Sequence, residues 1–407
     1  MNKKRSILLF GNYPPPFGGV PAHIKYLAPY LAQKQWSVHI LSIEGNKRWG
    51  LVPPRSIDGC ILHRPSVLDR LLSLANPSFF PNAYFSLRDR DTFTWKTSLH
   101  LLSLSAYAKR IVVKHDIQLI SAYHLYSAGL ISFLISKENR IPFVTTIFGE
   151  IYSDPELYHS RRRDVEMILS ASSRNFSCSR HCAKSVETIK VKAQVEPVYY
   201  GVDVEWFRPD RDGASIRDRF GISVSDPVVI FVGRMVREMG LNVLLEAIPQ
   251  VLDKQKNVRF LIVGKSDELE EKANWVGKKF PLNVFITSNL AMEMLPLFIA
   301  AADVAVVPSV NDRACLGLAI AEAMASGKPV IVSDVGGGRE VVVNGVTGML
   351  VSSGDSHALA ESILELLNTP KKIRNEMGKA GREIVLDLFD KNFVNRTMEE
   401  IFREVIG

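Results

Sequence analysis

Cysteine is scarce in this 407-residue chain. Its four residues, Cys60, Cys178, Cys182 and Cys315, are too few and too scattered for a disulfide framework. That scarcity points to a reducing compartment. No apolar run approaches the ~18–20 residues that span a bilayer. The basic start, Met1 to Arg5, is followed by an apolar run over 7–10 that stops at Gly11. The run is too short for a secretory leader and reads as a first β-strand. Zinc-finger spacings, an RNP-like aromatic motif and long basic runs are also missing, so nucleic acid is not an expected partner. The longest basic cluster, Arg161-Arg162-Arg163, reads as a solvated helix face. At 46% hydrophobic and 23% charged residues, the chain is neither disordered nor collagenous.

The net charge of +7 is unevenly placed. Residues 1–200 hold 26 Lys and Arg against 14 Asp and Glu, whereas 201–407 hold 24 against 29. A basic first half suits an anionic partner such as a membrane surface or a phosphorylated acceptor. Short apolar runs at 7–10, 38–43, 117–122 and 143–147 read as strands in that half. Runs at 228–232, 259–263, 283–287, 304–307 and 329–333 do so in the second. Helix-length amphipathic stretches lie between them at 22–33, 242–254, 292–301 and 318–326. This alternation predicts an α/β fold with two doubly wound, Rossmann-like lobes facing across a cleft. The Pro- and Gly-bearing stretch 195–209 reads as the linker between lobes. Residues 68–97, rich in Ser, Pro, Phe and Arg, read as an irregular insertion. Within it, Asp89-Arg90-Asp91 reads as a surface loop rather than a metal–nucleotide motif.

In doubly wound sheets, ligands sit beyond the carboxyl ends of strands. Three post-strand loops could carry chemistry. The first contains Gly18-Gly19 before the 22–33 helix, where backbone can approach an anion closely. In the second, Gly233-Arg234 precedes a helix, and Arg234 can clamp a diphosphate. The third runs through Cys315-Leu316-Gly317-Leu318 into a helix bearing Glu322 among Ala, Ile and Met. A carboxylate in such company must find a partner, either a ribose diol or a neighbouring cation.

These motifs together resemble the retaining, nucleotide-sugar-dependent glycosyltransferases of family 4, which have the GT-B fold. The resemblance rests on Gly18-Gly19, on Gly201-Val202-Asp203 with Phe207-Arg208-Pro209, and on Val232-Gly233-Arg234. It continues through Ala302-Asp303 to Pro308-Ser309 and through Glu322 to Val330. It closes with Gly336-Gly337, Glu340-Val341-Val342 and Asn344 to Gly348, and it covers nearly the whole chain. It implies an acceptor-side domain at 1–197, a donor domain at 198–388 and a closing helix at 389–407 that returns to the first domain.

The resemblance also implies a hexosyltransferase that acts with retention in cell-surface glycan or glycolipid assembly. Such an enzyme is cytoplasmic and peripheral on the inner face of the membrane. The implied partners are a nucleotide-sugar donor and a glycan or lipid-linked acceptor, with no cofactor and no essential metal. By the same resemblance, Arg234 neutralises the diphosphate and Glu322 holds the ribose. The donor contacts are Gly18, Gly19, Gly233, Cys315, Leu316, Gly317 and Leu318.

Three positions depart from the family pattern. Met239 stands for a phosphate-binding lysine, Ala314 for the first glutamate of a carboxylate pair completed by Glu322, and Phe148 for a histidine. Eight helical residues span ~12 Å, so the paired carboxylates would serve ribose and hexose separately. Two lost charge-assisted hydrogen bonds weaken binding by ~3–6 kcal/mol, a factor of about 10² to 10⁴. Arg237, Lys265 and Arg339 are candidate replacement cations. Asp312 and Glu150 are candidate polar groups, with His23 and His124 as further options. A non-catalytic, glycosyltransferase-like binding protein therefore stands as the alternative reading.

Overall fold

The computed structural model describes residues 4–15, 18–43, 50–87, 93–265, 267–313 and 315–407. Asp89-Arg90-Asp91 and Ala314 lie outside them. The chain forms two compact units, one of 1–201 with 391–407 and one of 202–390. These boundaries fall a few residues beyond the expected 197/198 and 388/389.

The first unit holds an eight-stranded sheet in the order β3-β4-β2-β1-β5-β6-β7-β8. Its strands are β1 (Ser6–Phe10), β2 (Ser37–Leu41), β3 (Arg55–Ile57), β4 (Cys60–His63), β5 (Leu119–Tyr123), β6 (Phe143–Ile147), β7 (Arg174–Ser177) and β8 (Glu196–Pro197). All pairings are parallel except the β3–β4 hairpin. Strands covered by helices on both faces bury every residue, which is why β1, β5 and β6 read as unbroken apolar or small runs. The helix Gly19–Gln33 packs Ile24, Leu27, Ala28 and Leu31 inward. The closing helix Lys391–Ile406 joins this unit: Trp36 Nε1 donates to Glu399 at 3.1 Å and its ring meets Phe402 edge-on.

The second unit holds a six-stranded parallel sheet, β11-β10-β9-β12-β13-β14. Its strands are β9 (Val228–Arg234), β10 (Arg259–Lys265), β11 (Val284–Ser288), β12 (Val304–Val307), β13 (Val330–Ser333) and β14 (Gly348–Val351). The motif residue Asp303 has a structural role, accepting from Val228 N at 2.9 Å and pairing with Arg217 at 3.1 Å. Lys328 is likewise internal, donating to the carbonyls of Ala300 and Ala302.

Three readings need correction. Residues 68–74 are not irregular, because they belong to the helix Val67–Leu74, started by a Ser66–Asp69 capping box. The stretch 195–209 is not wholly linker, since Glu196–Pro197 is the sheet's last strand. Arg161 is not on a solvated face. It is buried, its guanidinium lies 3.8 Å over Phe93 and 5.3 Å from Tyr126, and it pairs with Asp164 at 3.6 Å. Arg162 and Arg163 are exposed.

Candidate active site

In the second unit, three loops beyond the carboxyl ends of β9, β12 and β13 interlock. Val310 N donates to Glu238 O at 3.2 Å, Arg313 pairs with Glu238 at 3.6 Å, and Gly336 N donates to Asp312 Oδ1 at 3.3 Å. Gly240, at φ 73°, fixes the approach of the first two loops. A Cβ there would lie 1.6 Å from the Pro308 carbonyl oxygen. Only glycine allows both that backbone angle and that contact.

Arg234 ends β9 and is 55% exposed, with Asp267 3.7 Å away. A solvated pair of this kind is weak and leaves the guanidinium open to an anion. Lys265 ends β10 directly opposite Arg234 in register and has no acidic partner among the described residues. Two cations therefore stand at one edge. Arg237 is held by Glu268 at 2.7 Å, and Arg339 folds back onto Asp334. Of the three candidate replacement cations, Lys265 alone is unengaged by a carboxylate. Met239, at the expected lysine position, packs half-buried against the core beside the helix Leu241–Lys254.

The Cys315-Leu316-Gly317 loop enters the helix Leu318–Ala325. Gly317 caps it with no side-chain hydrogen bond, and Ile320 N donates to Gly317 O at 2.9 Å, which leaves the amides of Leu318 and Ala319 to a ligand. Glu322 lies one turn in, 8% exposed, and its carboxylate has no hydrogen-bond partner among the described residues. Burial pushes its pKa up to about 7.

In the first unit, Gly18 caps the helix Gly19–Gln33, and Gly19 packs on the Tyr200 ring. Sequence reasoning missed Arg64, which donates to the carbonyls of Tyr13, Pro14 and Pro15 at 2.5, 2.7 and 3.1 Å and holds the loop entering this turn. Its only sequence signal was a lone arginine just past β4.

Phe148, where a histidine was expected, is buried in an aromatic column. It stacks on Tyr200 at 5.4 Å and 6°, and on Tyr123 at 6.2 Å. His23 borders the column, buried, with its pKa lowered to about 4 by that burial.

His124 follows β5 on the neighbouring strand end, its ring 5.0 Å from Phe148. Its backbone sits at φ 80°, ψ 142°, a strained conformation for a side-chain-bearing residue. Hydrogen bonds hold it there: His124 N donates to Thr146 O at 3.0 Å, and Gly129 N donates to His124 O at 2.9 Å. Glu150 accepts from Phe148 N at 2.6 Å and Leu125 N at 3.2 Å, and Nδ1 of His124 lies 3.5 Å from its Oε2. Burial pushes the Glu150 carboxyl up. The His124 ring and the amides at Glu150 and Phe148 outweigh that and hold it below its usual value.

Comparison with known proteins agrees with this architecture. The model of "Glycosyl transferases group 1" matches residues 213–384, and that of "Glycosyltransferase Family 4" matches residues 17–206. An uncharacterized glycosyltransferase of Methanocaldococcus jannaschii is 24% identical, over 95% of this chain and 93% of its own. The N-acetyl-alpha-D-glucosaminyl L-malate synthase of Bacillus anthracis is 25% identical, over 80% and 85%. The structure of Anabaena HepE in complex with UDP-glucose superimposes with a TM-score of 0.75 at 19% identity, covering 98% of this chain and 99% of that one, a likeness of fold. The chain belongs to the GT-B glycosyltransferases of the group 1 and family 4 type.

Proposed function

We propose that this chain transfers a hexose from a nucleotide-sugar donor to a hydroxyl of a glycan or lipid-linked acceptor, with retention, in cell-surface glycan or glycolipid assembly. The observation that carries the reading is Glu322: a buried carboxylate, unpartnered among the described residues, in the first turns of an uncapped helix. Such a group is costly until a ligand completes it, and a ribose diol supplies two donors. Arg234 and Lys265 neutralise the diphosphate as it leaves, aided by the helix amides. That chemistry asks for no divalent ion. On the acceptor side, His124, braced by Glu150, supplies the polar group that Phe148 cannot. The relatives support the class: the Bacillus anthracis protein is an N-acetyl-alpha-D-glucosaminyl L-malate synthase, and the Anabaena structure is a complex with UDP-glucose.

Calorimetry with a panel of UDP- and GDP-hexoses tests the donor site. Arg234→Ala and Glu322→Ala should each weaken binding by about ten-fold or more. Unchanged affinity in both variants removes the site. The second reading, a binding protein without turnover, is favoured by the apolar filling at Phe148 and Met239. Turnover by the wild-type chain with any donor of the panel excludes it.

A further inference from the structure

Three histidines that belong to none of the loops above meet in the first unit. His39 lies in β2 and His63 in β4, hydrogen-bonded parallel neighbours in which His63 stands opposite Leu41. His115 is the last residue of the helix Trp95–His115. One ring nitrogen from each lies within 4.8 Å of the other two. Nδ1 of His39 and Nε2 of His63 are 3.0 Å apart. The His115 ring centre is 4.2 Å from that of His39 and 6.0 Å from that of His63.

Two of these rings are fixed by burial, His39 at 1% and His63 at 2% exposure, while His115 is exposed and free to adjust. Nε2 of His63 faces His39, while Nδ1, across the same ring, is buried with no partner among the described residues. Two nitrogens bound to one tetrahedral zinc ion at 2.0–2.1 Å stand about 3.3 Å apart, close to the His39–His63 spacing. A modest turn of His115 brings in the third.

Ligand type selects the ion. The cluster is all imidazole, and the nearby charges acting on it are cationic, Arg110 on His63 and Lys114 on His115. Hard cations such as Mg²⁺ and Ca²⁺ need oxygen ligands and gain nothing here, whereas neutral imidazoles suit zinc and its neighbours.

We propose that His39, His63 and His115 form a three-imidazole site for a divalent transition ion, Zn²⁺, with water in the fourth position. The ion ties the end of the helix Trp95–His115 to strands β2 and β4, a structural role separate from the transfer chemistry.

The test uses the tag-free full chain dialysed against micromolar Zn²⁺, with metal content and thermal unfolding as readouts. Wild type should retain about one zinc per chain and unfold at a higher temperature with zinc than without. Co²⁺ should give the visible bands of a four-coordinate ion. His115→Ala, a surface change, should lower zinc affinity at least about ten-fold and abolish the cobalt bands, and His115→Cys should restore binding. Failure of the wild-type chain to retain zinc overturns the proposal. Equal zinc affinity in wild type and His115→Ala overturns it too, because the metal would then sit elsewhere.

Discussion

Nδ1 of His124 lies 3.5 Å from Oε2 of Glu150, at the end of the strand adjacent to the one that carries Phe148. A strained backbone held by three surrounding hydrogen bonds is an expensive way to place a side chain, and it persists where the geometry has a use. We predict that His124→Ala lowers kcat by about 10²-fold, within the range of lost acid–base or electrostatic assistance. Glu150→Gln should lower it less, about ten-fold, because it positions the ring rather than replaces it. Adding Phe148→His to His124→Ala should recover part of the loss. Wild-type kcat in His124→Ala would end the assignment.

The Glu322 carboxyl, raised by burial from 4.5 to about 7, couples binding and stability to pH. Between those values the folded protein holds a proton that the unfolded chain has released. The stabilisation is full below about 4.5 and is lost as pH rises through about 7. Glu322→Gln should flatten this dependence and gain stability relative to wild type above that range. A diol donates to the ionised form, so nucleotide affinity should increase with pH and level off above 7, with proton release on binding below it. Calorimetry in buffers of differing ionisation enthalpy measures that proton. No release at pH 6 in wild type would show that the ligand does not meet this carboxylate.

Much of the donor unit was legible because its strands are apolar runs punctuated by glycine. Val304–Val307 matches β12 to the residue, whereas Gly233-Arg234, expected in the loop after a strand over 228–232, form the last two residues of β9. The first unit was harder. The two-residue β8 and the hairpin strand Arg55–Ile57 are too short and too polar to show alternation. Arg161 looked solvated because its neighbours Arg162 and Arg163 are, and sequence cannot show Phe93 and Tyr126 closing over one guanidinium. The three histidines are separated by more than twenty residues at each step, so only the pairing of β2 with β4 unites them. Lys265 was one of several candidate cations until strand register set it beside Arg234.

Met239 tests whether the phosphate site has been rebuilt or merely weakened. Its side chain packs half-buried on the core, so a lysine there can lay its methylenes along the same surface and carry its ammonium into the loop. If Lys265 and Arg234 still hold the ordinary diphosphate geometry, Met239→Lys should strengthen UDP- or GDP-hexose binding by about 1.5 kcal/mol, near ten-fold. The gain should shrink with added salt. The Ala314→Glu change should add contacts to the hexose hydroxyls and raise affinity further. Reduced turnover with the native donor in the Met239→Lys variant would mean instead that the site is built around a different phosphate pose.

The helix Trp95–His115 presents Trp95 at 71% and Leu99 at 40% exposure, one turn apart on the same face, with Lys96 over the Trp95 ring. The helix Val67–Leu74 packs against it and exposes Leu72 at 51%. Exposed apolar side chains in a half of the chain with 26 basic against 14 acidic residues fit a surface that rests on anionic lipid. Among the described residues no helix is long and apolar enough to cross a membrane. Each buried Trp or Leu contributes ~1.5–3 kcal/mol, and each nearby cation about 1 kcal/mol at low salt. We predict that the chain floats with vesicles containing phosphatidylserine and not with neutral vesicles. Trp95→Ser with Leu99→Ser should cut recovery at least about ten-fold without lowering turnover on a soluble acceptor. Salt should release the wild-type chain only partly, since the apolar contribution survives screening. Equal recovery with neutral and anionic vesicles at low salt would refute the docking surface and leave the basic charge to a phosphorylated acceptor.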